Sequence, residues 1–162
     1  MRIASITDND SVNSITGFTL SIFTQSCLHH CLGCFSPQTW SECGGKEYQL
    51  DEIKELILNS KCHNVSLIGG DPLAPLNRDE VINCIQWIKQ NTNKFVYVWT
   101  GYTKEEVEKW IDLELIDVLI DGRFELDKRN LNLLLRGSNN QRLFYKGKQV
   151  IEKELLDIVD KF

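Results

Sequence analysis

The sequence predicts an α/β fold in one compact domain, in which a mostly parallel sheet forms an incomplete, TIM-like β/α barrel. Short apolar runs rich in β-branched residues alternate along the chain with longer segments of helical period, which is the pattern of βα units. The chain has 162 residues, of which 42% are hydrophobic and 25% charged, and this is enough to bury one core. A complete eight-stranded barrel needs about 250 residues. We therefore expect a single domain spanning residues 1–162 and an abbreviated barrel.

Four segments are predicted to be strands of this sheet, namely residues 17–24, 65–68, 95–99 and 118–120. Each is followed by turn residues or, after the first, by a cysteine-rich loop. In parallel α/β folds the loops that follow the strands form the binding face. The site is therefore expected at the carboxyl ends of these strands.

Capping boxes indicate the start of two helices, since Thr103 precedes Glu106 and Asn77 precedes Glu80 by three positions. Apolar stripes follow both boxes and recur in two other segments, and we expect them to form the core. The stripes are Val107, Trp110 and Ile111; Val81, Ile82, Ile85 and Ile88; Leu50, Ile53, Leu56 and Ile57; and Leu155, Leu156, Val159 and Phe162.

Charge and hydropathy exclude two classes of partner. The net charge of −5 repels nucleic acid at long range, so no nucleic-acid partner is expected. No apolar run approaches the roughly 18 residues of a membrane-spanning helix, and no charged leader with an apolar stretch is present. The sequence predicts a cytoplasmic protein without a membrane partner.

Three cysteines lie within eight residues, Cys27, Cys31 and Cys34, in a C-x3-C-x2-C pattern. A 4Fe-4S cluster has four irons, and an electron-transfer protein normally ligates all four with cysteine. A loop with three thiolates leaves one iron open for a substrate. The spacing therefore favours a cluster that takes part in chemistry.

Two other interpretations of these cysteines are weaker. A structural zinc ion could use the three thiolates with His29, His30 or His63, although such sites usually come as two knuckles. A disulfide framework is less expected in a chain of this size without a leader. The remaining cysteines, Cys43, Cys62 and Cys84, lack ligand spacing and are interpreted as small hydrophobes.

Several segments together resemble a known family. The cysteine loop followed by Phe35, and then Gly69-Gly70-Asp71-Pro72 after the next strand, resemble the radical S-adenosylmethionine (SAM) superfamily. Residues 99–103, 117–124 and 136–142 are similar to segments of the anaerobic ribonucleoside-triphosphate reductase activating proteins. The chain departs from that family at Phe18, where an Arg usually ends a Gly-rich stretch, at Ser26, usually Gly, and at Phe35-Ser36, usually Tyr-Asn.

The resemblance implies a cofactor pair and a protein substrate. Cys27, Cys31 and Cys34 would hold three irons of a 4Fe-4S cluster, and the fourth iron would chelate the amino and carboxylate groups of SAM. Reductive cleavage of SAM would then produce a radical that abstracts hydrogen from a glycine of the large reductase subunit. The resemblance also implies a flavodoxin- or ferredoxin-like electron donor.

The cofactor contacts implied by the resemblance lie in the cysteine loop and at strand ends: Gly33, Cys34, Phe35, Gly69, Gly70, Asp71 and Thr100. Ordinary turn formation also explains the glycines, Asp71 and Thr100. Asp121 is expected on the same side as Thr100, where the two side chains would reach the ribose hydroxyls or the methionine moiety of SAM, although turn formation explains Asp121 as well. The basic residues between 121 and 148 are interpreted first as a solvated face. Alternatively, an arginine among them would contact the SAM carboxylate, or the whole segment would dock the reductase.

Other polar and aromatic residues receive secondary interpretations. His29 and His30 are expected at the surface or beside the cluster sulfides, where hydrogen bonds tune the potential. Trp40, Trp87 and Trp110 are interpreted as packing residues.

Two rival functions remain open. One is a radical SAM enzyme acting on a small molecule, which predicts a closed pocket and no protein partner. The other is a non-catalytic module whose zinc or cluster only holds the loop. The small size of the chain favours a laterally open site suited to a loop from a large partner.

Overall fold

The computed structural model describes residues 1–160, and their eight strands form one sheet. The strands are β1 (Arg2–Asp10), β2 (Thr19–Thr24), β3 (Lys46–Glu47), β4 (Asn64–Gly69), β5 (Phe95–Trp99), β6 (Val118–Asp121), β7 (Arg142–Tyr145) and β8 (Lys148–Val150). Their order across the sheet is β3-β1-β2-β4-β5-β6-β7-β8. The helices are α1 (Leu50–Asn59), α2 (Arg78–Asn91), α3 (Lys104–Val107) and α4 (Glu152–Val159). None of these helices is long and apolar enough to cross a membrane.

The centre of the sheet is parallel and both sides are antiparallel. Strands β2, β4, β5 and β6 pair in parallel, whereas β1 and β3 on one side, and β7 and β8 on the other, pair antiparallel. The α/β prediction is confirmed, but the prediction of a mostly parallel sheet is wrong for residues 1–160. Short reversals such as Lys146-Gly147 return the chain antiparallel, because only longer crossovers give parallel neighbours. The sheet does not close, so the TIM-like barrel is not confirmed.

Alternation along the central strands buries both faces of the sheet. Ile22, Leu67 and Val98 point to one face, where they pack in a cluster that includes residues of α1 and α2. Tyr97 and Ile120 belong to a second cluster, which includes residues of α4. Helices α1 and α2 thus cover one face of the sheet and α4 covers part of the other, as the apolar stripes predict.

Some details of the predicted helices differ from the structure. Leu56 and Leu156 are exposed, so those two stripes are narrower than predicted. Helix α3 ends at Val107, and Trp110 and Ile111 follow it. The capping box of Thr103 is confirmed. Phe162 lies outside the described residues.

Asn77 does not form the predicted cap. Its buried side chain accepts a hydrogen bond from the Arg2 N–H at 2.7 Å and donates one to the Gln25 carbonyl at 2.7 Å. The amide group therefore joins the start of α2 to β1 and to the residue that follows β2. This link holds the beginning of the cysteine loop against the sheet.

Candidate metal centre

A cavity of about 640 Å³ lies at the carboxyl ends of the parallel strands. Phe23, Ile68 and Trp99 line it, and they alternate with the side chains that face α1 and α2. The cavity is therefore on the opposite face of the sheet from these helices. Strand-end loops border it with Gly69, Gly70, Thr100 and Gly101, and the segment after β6 contributes Leu131 to Gly137 apart from Asn132.

The three clustered cysteines line this same cavity. Cys27 is buried at the end of the loop nearest the sheet, whereas Cys31 and Cys34 are partly exposed. All three are free thiols. Among residues 1–160, no three His, Cys, Asp or Glu side chains are grouped to hold a metal ion. The three thiols lie around a shared space.

Backbone N–H groups surround the sulfurs of these cysteines. Burial raises the pKa of the Cys27 thiol, an effect that hydrogen bonds from the backbone N–H groups of His29 and His30 oppose. Burial also raises the pKa of Cys31, whose sulfur accepts from the backbone N–H of Phe124. The Ser36 N–H donates to Cys34 Sγ at 3.4 Å. Donors of this kind stabilise thiolate ligands and raise the potential of an iron–sulfur cluster.

Gly69 and Gly70 bring the end of β4 against the residues before Cys27. Gly69 has a φ of +111°, and a Cβ on Gly70 would lie 2.4 Å from the Ser26 carbonyl oxygen. The Gly70 N–H donates to the Thr24 carbonyl at 2.8 Å, which continues the pairing with β2 beyond the strand end. Only glycines allow this close approach, because a side chain would displace backbone atoms.

The other predicted cofactor contacts divide into two groups. Phe35 and Thr100 line the cavity, whereas Gly33 and Asp71 do not. Asp71 is buried, and its carboxylate accepts hydrogen bonds from the Thr100 hydroxyl and from two backbone N–H groups. Gly33 instead faces the side chain of Leu126.

Asp121 does not reach this cavity. Its carboxylate accepts hydrogen bonds from Arg142 Nε at 3.0 Å and from the Lys104 N–H at 2.6 Å. It borders a second cavity, beside the start of α3. The Asp121 carboxylate therefore lies in the wall of this second cavity, where it is held by Arg142 and by the backbone of Lys104.

Sequence reasoning missed several residues of the cavity. Trp40, interpreted as a packing residue, lines it, and its Nε1 is buried without a hydrogen-bond partner among residues 1–160. Arg123 lines the cavity, and its positive charge opposes the rise in the pKa of Cys31 that burial causes. The apolar segment around Leu133 carries no motif, and only its content of leucine could have indicated that it lines a cavity.

Ser26 combines an unfavourable backbone with an unpaired hydroxyl. Its φ is +86°, a region that favours glycine, and its buried Oγ has no hydrogen-bond partner among the described residues. We expect Ser26→Gly to stabilise the apoprotein by about 1 kcal/mol, because relief of both costs exceeds the added entropy of the unfolded chain. Urea unfolding checks this value. Equal or lower stability of the variant would contradict it, and Ser41→Gly, at an exposed position, is the control.

The donors present fit an iron–sulfur cluster. Three thiols line one cavity, N–H groups reach their sulfurs, and the Trp40 Nε1–H group is buried there without a partner. A cluster held by three cysteines presents sulfide acceptors and one iron without a protein thiolate. The space beside the cysteines leaves room for a further ligand.

Comparison with known proteins gives the family. Residues 15–144 match the model of a 4Fe-4S single cluster domain. The anaerobic ribonucleoside-triphosphate reductase-activating protein of Enterobacteria phage T4 is 38% identical over 141 residues, which cover 83% of this chain and 88% of that protein. The proteins of that name from Pasteurella multocida and Escherichia coli K12 are 36% and 34% identical, over 83% and 82% of this chain and 91% and 90% of theirs. This chain belongs to the family of the anaerobic ribonucleoside-triphosphate reductase-activating proteins, and its family domain is one that carries a single iron–sulfur cluster.

Proposed function

We propose that this protein is a radical SAM activating enzyme that cleaves SAM reductively at a 4Fe-4S cluster. The product of that cleavage generates a glycyl radical on the large subunit of the anaerobic ribonucleoside-triphosphate reductase. One observation carries the proposal: Cys27, Cys31 and Cys34 line a cavity of about 640 Å³ together with Gly69 and Gly70. The whole chain, residues 1–162, is proposed to form one radical SAM domain.

The cysteines would bind three irons and leave the fourth facing the cavity. The bound cluster and SAM would supply a one-electron reductive cleavage of a carbon–sulfur bond. Burial raises the pKa of Cys27 and Cys31, and the backbone N–H groups at their sulfurs oppose that effect by favouring the thiolate form that binds iron. The apolar surfaces of Phe23, Ile68 and Trp99 exclude water from the reacting groups.

The SAM contacts are proposed at the loops that border the cavity. Gly69 and Gly70 leave the backbone accessible beside Cys27, and Phe35 and Thr100 lie on the same surface. Gly33 and Asp71 do not line the cavity, so we propose that they act indirectly, Gly33 through the shape of the cysteine loop. The Asp71 carboxylate is fully engaged by protein donors.

The cavity opens on an exposed apolar rim that suits a protein substrate. Val12, Phe35 and Leu131 line the cavity, yet they are 76%, 64% and 68% exposed. Exposed apolar groups around a site indicate a surface that another molecule covers. We propose that the glycine-bearing segment of the reductase enters at this rim.

Electrons must reach the cluster from outside the chain. We propose a flavodoxin- or ferredoxin-like donor, as the family resemblance implies. All six cysteines are free, which fits a reducing compartment, and we propose the cytoplasm.

The proposal is tested by anaerobic reconstitution with iron and sulfide, followed by SAM and dithionite. We expect 5′-deoxyadenosine, in larger amount when the anaerobic reductase is present, and a glycyl radical signal in the reductase by electron paramagnetic resonance (EPR). Absence of 5′-deoxyadenosine although the cluster binds and reduces would contradict the proposal. Cleavage of SAM that the reductase does not affect, with no radical in it, would favour a small-molecule substrate.

Metal analysis of the protein purified without oxygen separates the non-catalytic alternative. We expect iron and acid-labile sulfide with a brown chromophore. One tightly bound zinc ion per chain and no chromophore would favour a structural module.

A further inference from the structure

The Asp71 carboxylate joins three segments that border the cavity. Oδ1 accepts from the Leu73 N–H at 2.8 Å and from the Thr100 hydroxyl at 2.9 Å. Oδ2 accepts from the Gly101 N–H at 2.8 Å and lies 2.8 Å from His29 Nε2. The loop after β4 thus contacts the loop after β5 and the cysteine loop through one side chain.

His29 is the buried anchor of the cysteine loop. It lies two residues from both Cys27 and Cys31, and its side chain is 5% exposed, whereas its loop neighbours Leu28 and Leu32 are exposed. We assign the proton of the bond to Nε2, because the carboxylate of Asp71 can only accept. The ring is therefore fixed to the sheet while the residues around it face solvent.

Packing holds the same ring from two further sides. A Cβ on Gly101 would lie 2.3 Å from His29 Cδ2, so the loop after β5 accepts the imidazole only because residue 101 is glycine. The ring of Tyr102 meets it edge to face, with centroids 4.6 Å apart. A hydrogen bond and two close contacts thus define both the place and the orientation of the imidazole.

His29 also lies between the cysteines and the proposed SAM contacts. Its side chain borders the cavity, as do Thr100, Gly70 and the three cysteines. The strand-end loops are held by the sheet, whereas Leu28, His30 and Leu32 of the cysteine loop are exposed and lie outside the strands. The distance between the two groups therefore depends on what ties the loop down.

We infer that His29 is a positioning residue, whose bond to Asp71 sets the distance between the iron left open by the three cysteines and the SAM contacts at Gly69, Gly70 and Thr100. This inference rests on the proposed function. His29 binds neither iron nor SAM in this role. It acts through the cysteine loop, and Asp71 acts through His29 and Thr100.

The test compares His29→Asn with His29→Gln. The longer glutamine amide can replace Nε2 as a donor to Asp71, whereas the asparagine amide is too short to reach it. His63→Asn, at an exposed histidine far along the chain, is the matched control. Hydrogen exchange of residues 27–34 in the apoprotein reports whether the loop is tied down. SAM titration of the reduced cluster, followed by the change in its EPR spectrum, reports affinity.

We expect His29→Asn to exchange faster in the cysteine loop and to bind SAM about tenfold more weakly, as loss of a hydrogen bond to a charged group implies. Iron content should stay close to wild type, whereas the melting temperature should fall by several degrees because a buried hydrogen bond is lost. His29→Gln should restore slow exchange and most of the SAM affinity. The KM for SAM should rise more than kcat falls.

Equal exchange and equal SAM affinity in His29→Asn and the wild type would overturn the inference. So would an equal loss in His29→Asn and His29→Gln, because the hydrogen bond would then be irrelevant. If the wild-type cluster itself does not respond to SAM, the proposed function fails, and unchanged exchange in His29→Asn would still refute the link between loop and strand ends.

Discussion

Replacing Cys27, Cys31 or Cys34 singly by alanine is expected to abolish SAM cleavage, to the background of the assay. All three thiols line the cavity, and a cluster left with two protein thiolates would have two open irons. Such a cluster is not held in one orientation toward the SAM contacts at Gly69 and Gly70. The measurement is 5′-deoxyadenosine formed by each variant after anaerobic reconstitution, with iron and sulfide content determined in parallel.

The other three cysteines supply matched controls for this experiment. Cys43 is exposed, and Cys62 and Cys84 are buried outside the cavity lining. Alanine at these positions should leave SAM cleavage unchanged. Cys84 is fully buried, and its burial raises the pKa of the thiol to about 12. We expect Cys84→Ala to lose some stability, because alanine leaves a small cavity in the core. SAM cleavage at the wild-type rate by all three of the cavity variants would refute the assignment of the cluster.

Gly70→Ala is expected to have the second largest effect. The added methyl group would lie 2.4 Å from the Ser26 carbonyl oxygen and 2.9 Å from that of Thr39, and both are backbone atoms. The end of β4 must then separate from the residue that precedes Cys27. We expect a loss of about 3 kcal/mol of stability from this overpacking, together with strongly reduced SAM cleavage. Urea unfolding of the apoprotein and the 5′-deoxyadenosine assay measure the two effects.

Gly17→Ala is the control for the effect of an added methyl group. Gly17 has a φ of +62°, but nothing lies within 4 Å of the position of its Cβ. Only the backbone cost of about 1 kcal/mol should appear, with SAM cleavage retained. If Gly70→Ala were no less stable than Gly17→Ala and equally active, close approach at residue 70 would not matter to the site.

Much of the central fold could be predicted from local patterns. Strands β2, β4, β5 and β6 lie within a few residues of the predicted segments, because buried parallel strands read as continuous apolar runs. Strands β1, β3, β7 and β8 were not predicted, since they are short or mix polar and charged residues with the apolar ones. The antiparallel pairing of β7 with β6 joins residues distant in the chain, such as Asp121 and Arg142, and local patterns do not specify it.

The network around Asp71 could not be predicted for a related reason. Its carboxylate binds groups that lie 42 and 30 residues away, and no spacing rule connects them. Trp40 likewise reaches the cavity only because the loop between Cys34 and β3 folds back, with the Cys27 N–H donating to the Trp40 carbonyl at 3.1 Å. In the sequence, turn formation is a sufficient reason for an aspartate at position 71, and core packing is a sufficient reason for a tryptophan at position 40. Neither residue is therefore singled out as part of the site.

The sequence by itself determined which three thiols are the candidate cluster ligands, because the spacing of Cys27, Cys31 and Cys34 is local and ligand geometry depends directly on it. It also determined which strand ends carry the site, since loops after parallel strands meet at one edge. The tertiary structure alone decided the neighbours of that site. Asp71 was directed to His29 and Thr100, and Asp121 to Arg142, because a buried carboxylate must find donors wherever the fold brings them.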